Sequence, residues 1–452
     1  MMNETLVQAG IRELPHSRDR LRISKAPRRA QRFRTPLGFL ILAGLLMLGR
    51  TSHAYWTSSA YSANVYSPCP TETCQVAGAP YTNWGTSSNP VTISQVATGQ
   101  YVVSFPGLAA YILGAGFAAG SGHVQVTAVG TAGERCKLLS FGSPDQNVMQ
   151  LNINCFSATG TPTNSRFTAN WTHAIGSYPG PEEAYFEANP PSGPTTYDLG
   201  SFGPFQWNST GDEIHVSRTS VGLYQITLDG QNGGTDWGTT TDGCVANSGI
   251  VEVTALGADN TYCKVRSYTP AINNQNPNVT SIQVACFNGS TGAMADSAYM
   301  LTYSTMFPTG LDTAAIAFAN EPSTSSYNPS VSQVLVNTSD GNTWPSCDTA
   351  APTITRSGVG VYTVTFWGGR HLVGALYDPI SGPPVNQSQY VKVTGYGAPS
   401  GSYCEIGDTW VGSIVSPTDN VSISVRCFGY SGTPVDEEFM IDFSSTWDDS
   451  HI

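Results

Sequence analysis

From Asn147 to Phe156 the chain reads NVMQLNINCF, with Met149, Leu151, Ile153 and Cys155 on one parity and Gln150, Asn152 and Asn154 on the other. Period-two alternation predicts a strand with one buried face, and a cysteine in phase with the apolar residues predicts a sulfur turned toward the core. The pattern recurs as TSIQVACF, ending beside Cys286, and NVSISVRCF, ending beside Cys427. Each copy follows a strand that opens on a cysteine: RCKLLSF at Cys136, YCKVRSY at Cys263 and YCEIGDT at Cys404. In an antiparallel hairpin, Cys136 opposite Cys155 also sets Leu138 opposite Ile153. The same register sets Val265 opposite Val284 and Ile406 opposite Val425. These matched apolar pairs predict three cross-strand disulfides, Cys136–Cys155, Cys263–Cys286 and Cys404–Cys427, each stabilising by about 3 kcal/mol through the entropy of the unfolded chain. Buried free thiols are the alternative.

Other segments repeat in the same order. VATGQYVVSFPGL, SVGLYQITLDG and GVGVYTVTFWG each place a glycine (Gly99, Gly222, Gly360) two residues before a tyrosine (Tyr101, Tyr224, Tyr362), as a tight turn between strands requires. HVQVTAVG, IVEVTALG and YVKVTGYG form a further matched strand. After the second cysteine come Gly160, Gly292 and Gly432, then Asn164, Asp296 and Asp436, then Phe167, Tyr299 and Phe439, each set heading a closing strand. An opening strand is read at AYFEANPPS from Ala184 and IAFANEPS from Ile316, with AYWTSSAYS at Ala54 as a looser version.

Three units of about 130 residues follow, at 55–180, 181–311 and 312–452. Short joins, SYPGPEE and FPTGLDT, suggest a semi-rigid string. Short strands between Gly, Pro, Asn and Ser turns predict an all-β chain of three tandem antiparallel β-sandwich modules. A six-bladed β-propeller, two blades per unit, is the alternative; the two halves of a unit do not resemble each other, which favours sandwiches.

The order GxYxVxFPGL, VxVTAxG, CK and VxVxCFxxxGxPxDxxF resembles a tandem all-β repeat of exported bacterial proteins, mostly without an assigned activity. The resemblance spans the chain after residue 54 and implies secretion and an all-β module. The first unit departs from it with Asn164 where the others carry Asp, and the third with Trp367 and Gly368 in place of Pro and Gly.

Charge sharpens the picture at the N-terminus. The 452 residues carry 20 Lys and Arg against 32 Asp and Glu, a net −12, but ten of the basic residues lie in residues 1–54. That segment has the form of a signal peptide: a long basic n-region with Arg28, Arg29, Arg32 and Arg34, twelve apolar residues from Leu37 to Leu48, and SHA before a cleavage point after Ala54. The apolar run falls short of the roughly 20 residues that span a bilayer, so no membrane span is expected in the mature form. The remaining chain has ten basic and 29 acidic residues, which argues against a nucleic-acid partner. Only Lys137, Lys264 and Lys392 supply lysine beyond residue 54.

An oxidising destination makes the remaining cysteines candidates for bridges. Cys69 and Cys74 suit a local staple, leaving Cys244 and Cys347 as a pair by elimination, with other pairings open. Catalytic motifs are lacking: no HExxH or HxH spacing and no GxSxG elbow occurs, so neither catalytic residues nor a metal or cofactor is expected. His123 and His215 read as surface or half-buried strand residues. The acidic pairs Glu182 and Glu183, Asp436 to Glu438, and Asp448 and Asp449 read as exposed charge at strand ends, and Asp236 and Asp242 lack calcium-loop spacing. Trp207, Trp237, Trp344 and Trp367 stand near turns beside polar residues and are candidates for stacking on sugars, or else for capping the sandwich cores. The expected role is that of a secreted, non-enzymatic structural or adhesive protein with an extracellular glycan or cell-surface partner. An array of carbohydrate-binding modules is the alternative.

Overall fold

The computed structural model describes residues 61–67, 74–75, 91–114, 118, 120–173, 183–189, 196–231, 249–269, 279–304, 313–329, 332–336, 346–347, 351–367, 389–398, 400–413 and 420–445. Strand is the dominant structure of the described chain, with one short helix, Leu108–Gly114. The expected signal peptide and the expected boundaries near 54, 180 and 311 lie outside these residues.

Each repeat is a β-sandwich assembled from five pieces. The opening strand is Tyr61–Ser67, Glu183–Ala188 or Thr313–Ala319 in the three repeats. A glycine hairpin follows, formed by Thr92–Ala97 and Gln100–Pro106, Ile214–Ser220 and Leu223–Asp229, or Thr353–Gly358 and Val361–Trp367. Next comes a strand here termed axial: His123–Val129, Ile250–Leu256 or Gln389–Tyr396. The cysteine hairpins pair Arg135–Gly142 with Val148–Phe156, Tyr262–Thr269 with Val279–Phe287, and Tyr403–Ser413 with Asn420–Phe428. Arg166–His173, Ala298–Ser304 and Glu438–Ser445 close the repeats. Of the expected AYWTSSAYS at Ala54, only Tyr61 and Ser62 are among the described residues, and both lie in the strand Tyr61–Ser67.

The cysteine hairpins have the register that the apolar pairing requires. Cys136, Cys263 and Cys404 face Cys155, Cys286 and Cys427, with Leu138, Val265 and Ile406 facing Ile153, Val284 and Val425. All three disulfides are formed, across sequence separations of 19, 23 and 23. Hairpin loops of different length are thus accommodated without a change of pairing. Cys155, Cys286 and Cys427 are fully buried within the three sandwich cores. Cys69 and Cys244 lie outside the described residues; Cys74 and Cys347 lie in short edge strands.

The repeats are not a string. Each sheet is shared by two of them. The hairpins of the first repeat continue into the axial, closing and opening strands of the second; those of the second continue into the third, and those of the third into the first. The joins are parallel, at Leu138 beside Leu256, Val265 beside Tyr396 and Ile406 beside Val129. Gly257 N donates to Leu138 O at 2.9 Å, Gly397 N to Val265 O at 3.1 Å and Gly130 N to Ile406 O at 2.9 Å. The sheets are therefore mixed rather than purely antiparallel, and the three sandwiches close into a pseudo-threefold ring. Side chains follow the same circuit: Met300 enters the core of the first repeat, Met440 that of the second and Val129 that of the third. Every repeat buries apolar surface of its neighbour, and the short joins in sequence say nothing of this.

The repeated glycine and acid form a latch. Gly99, Gly222 and Gly360 have φ of 69°, 66° and 66°, and a Cβ there would collide with the carbonyl oxygen of Cys155, Cys286 or Cys427. Gly222 N donates to Asp296 Oδ1 at 2.8 Å and Gly360 N to Asp436 Oδ1 at 2.9 Å, while Arg218 and Arg356 each hold the same carboxylate with two nitrogens. Arg218 beside it lowers the pKa of Asp296 to about 2, and Arg356 lowers that of Asp436. In the first repeat Gly99 N donates to Asn164 Oδ1 at 2.8 Å, and the arginine is replaced by Gln95, whose Nε2 donates to the same oxygen at 2.6 Å. The departure at Asn164 is thus matched by a departure at Gln95: a neutral pair replaces a charged one. Asp296→Asn alone is expected to lower the melting temperature by leaving Arg218 uncompensated, and adding Arg218→Gln is expected to restore most of it. A thermal melt in which the double variant is no better than the single one would refute the latch.

Candidate functional site

Both faces of the axial strands are buried. Val124 and Val126, Val251 and Val253, and Val391 and Val393 enter the sandwich cores. The intervening Gln125 and Thr127, Glu252 and Thr254, and Lys392 and Thr394 are also buried, because the three axial strands pack around the pseudo-threefold axis. At each join the axial strand makes only one bridge to its neighbour, which leaves backbone N–H groups that need an acceptor. Threonines of the VxVT motif provide it in a cycle. Val126 N donates to Thr254 Oγ1 at 3.0 Å, Val253 N to Thr394 Oγ1 at 3.4 Å, and Val393 N to Thr127 Oγ1 at 3.3 Å.

The neighbouring layer holds Gln125, Glu252 and Lys392 at equivalent positions. Lys392 Nζ lies 2.6 Å from Glu252 and 3.5 Å from Asp442. Burial pulls the ammonium down, but the two carboxylates outweigh it and hold the Lys392 pKa above the ordinary lysine value. Burial pushes Glu252 up to about 7 and raises Asp442. Gln125 Nε2 reaches Thr302 Oγ1 at 3.3 Å and the His123 ring at 3.1 Å. His123, expected at or near the surface, is completely buried, and burial followed by the charge of Lys392 keeps its pKa far below the usual imidazole value.

Beyond the threonines lies a cavity of about 60 Å³, lined by the VTA, VTA and VTG segments and by ERCK, YCK and YCE around the first cysteines. The residue before each of those cysteines caps it. The Arg135 guanidinium stands 4.5 Å from the Tyr262 ring centre and 4.8 Å from that of Tyr403, while its Nη2 bonds Ser157 O, Ala158 O and Gly289 O. The residue after each cysteine reaches into the next repeat. Lys137 Nζ bonds Asp259 at 2.8 Å, Lys264 Nζ bonds Glu437 at 2.6 Å, and Glu405 Oε1 accepts from Gly133 N at 3.2 Å. Burial lowers the pKa of both lysines, and the carboxylates beside them oppose that shift.

Other sequence candidates are scattered. Trp207 is 7% exposed and packed on Tyr185, so its ring offers little face to a sugar. Trp367 is half-buried with Nε1 on Thr353 Oγ1; Trp237 and Trp344 lie outside the described residues. Among the acidic pairs, Glu183 is buried, and that burial takes its pKa to about 7. Asp436 is bound by Arg356 and Glu437 by Lys264. These three serve the fold and are not the exposed charge expected. His215 sits between Asp198, 2.6 Å from Nδ1, and Asp229, 3.1 Å from Nε2, with Glu213 close by. Asp198 chiefly raises its pKa.

Sequence reading missed the axis, although one clue was present. All three lysines beyond residue 54 lie on it. Comparison with known protein-family models, curated proteins and solved structures finds no match to this chain.

Proposed function

We propose that the protein is a secreted, non-enzymatic structural or adhesive component acting at or outside the cell surface. It would meet an extracellular glycan or cell-surface partner through its outer turns. The observation that carries this reading is that the charged chemistry is turned inward. Lys137, Lys264, Lys392 and Arg135 fasten one repeat to the next, and the three disulfides staple each repeat, as suits an oxidising and unprotected environment. Outward, the glycine hairpins expose Val96, Val221 and Val359, one apolar residue per repeat, which suits repeated weak contacts with an extended surface. Labelled protein added to producer cells that lack its gene is expected to coat them, and Val221→Asp with Val359→Asp is expected to reduce the coating. Protein that stays wholly in solution with such cells, and binds nothing on a glycan array, would overturn the reading.

A further inference from the structure

We infer that the sector of the axial cavity between Glu405 and Glu134 is a binding site for a hard metal cation, with Ca²⁺ the ion that suits it. The inference does not depend on the biological role proposed above.

The pseudo-threefold symmetry carries the first part. In two sectors an ammonium from the residue after the cysteine meets oxygens of the following repeat. Lys137 Nζ bonds Asp259 Oδ1 at 2.8 Å and Thr261 Oγ1 at 2.9 Å. Lys264 Nζ bonds Glu437 Oε1 at 2.6 Å and Ser402 Oγ at 3.0 Å. In the third sector the residue after the cysteine is Glu405. The position held by Thr261 and Ser402, directly before the capping residue, is occupied by Glu134. Two carboxylates stand where the other sectors set an ammonium against oxygen.

Independent of that comparison, Glu405 is 1% exposed and its Oε2 has no hydrogen-bond partner, while Oε1 accepts from Gly133 N. Both glutamates line the cavity. Burial and then the charge of Glu134 raise the Glu405 pKa well above the carboxylate range; Arg135 and Arg426 oppose this from a distance and donate no bond to it. A carboxylate so placed is satisfied by a proton or by a cation. About 60 Å³ admits an ion together with a few waters, on the order of four water-sized bodies in all. Donors that are all oxygen suit a hard cation. An irregular shell of carboxylates and water suits Ca²⁺ better than Mg²⁺, which demands near-ideal octahedral geometry.

The test uses the intact, disulfide-bonded chain, stripped with a chelator and titrated with Ca²⁺ by calorimetry and by thermal melting. Wild type is expected to bind and to melt several degrees higher with Ca²⁺. Glu405→Gln should weaken binding about tenfold or more and remove the shift. Glu405→Lys supplies the ammonium found in the other two sectors, so it should melt in chelator at least as high as wild type does and ignore Ca²⁺. Absence of any Ca²⁺ response in wild type, meaning a protonated Glu405 with water alone, overturns the inference. A response that persists in Glu405→Gln, meaning adventitious binding elsewhere, overturns it equally.

Discussion

Replacing Lys392 with methionine is expected to cost about 3–5 kcal/mol of stability at pH 8, because it strands Glu252 and Asp442 as uncompensated buried charges. Both carboxylates are at most about a tenth exposed. The expected pH dependence follows from the direction of the shifts. Glu252 has its pKa raised by burial from the ordinary value to about 7, so the folded state binds more protons than the unfolded state between those limits. Its ionisation therefore lowers stability as pH rises through that interval. With the ammonium gone the carboxylates titrate higher still, and the deficit of the variant should be small near pH 5 and grow toward pH 8. Lys392 acts in the same sense, but at higher pH. With its folded pKa raised, its contribution is complete below the ordinary lysine pKa and is lost only as pH climbs past the folded value. Adding Glu252→Gln and Asp442→Asn to Lys392→Met should recover most of the loss, since no buried charge then lacks a partner. Urea unfolding at pH 5 and pH 8 measures all of this. A Lys392→Met variant as stable as wild type at pH 8, or a deficit independent of pH, would rule out the charge cluster as an organiser of the axis.

Legibility in the sequence divides along a physical line. The cysteine hairpins could be read because disulfide, register and apolar parity are local, and the three copies checked one another: Leu138, Val265 and Ile406 fall opposite their partners as the alternation requires. The latch was half legible. Gly99, Gly222 and Gly360 and the Asn or Asp downstream were visible as recurring positions, but the compensating Gln95, Arg218 and Arg356 were not, because their link to the acid is made across the fold. Ring closure left almost no sequence mark. VQVT, VEVT and VKVT alternate like strands with one wet face, and only assembly of three repeats turns Gln125, Glu252 and Lys392 inward. The join carries a single bridge per interface, too little to impose a pattern of its own. What did point inward was scarcity. A chain that keeps three lysines beyond residue 54, each beside or within a repeated motif, uses them for something other than solubility, and each meets a carboxylate of another repeat.

The second large effect is expected at the opposite side of the cavity. Arg135 occupies the position of Tyr262 and Tyr403 in the other repeats and lies against both rings, so one guanidinium ties the first repeat to the second and the third. Its Nη2 also lies 2.8 Å from Gly289 O of the second repeat and 2.9 Å from Ala158 O of its own. Arg135→Ala removes two cation–π contacts, worth about 0.5–2 kcal/mol each, and leaves buried carbonyls unpaired at about 1–3 kcal/mol. Because these losses overlap, a total of about 3–5 kcal/mol is expected. Arg135→Lys keeps the charge but loses the planar fork and the stacking, so it should recover less than half. The loss should also fall on cohesion between repeats rather than within them: hydrogen exchange should quicken at Gly130, Gly257 and Gly397, whose N–H groups bridge the joins, more than at Cys155, Cys286 and Cys427. Unfolding within 1 kcal/mol of wild type, or exchange accelerated evenly through all these amides, would mean that the ring is held by its shared sheets alone.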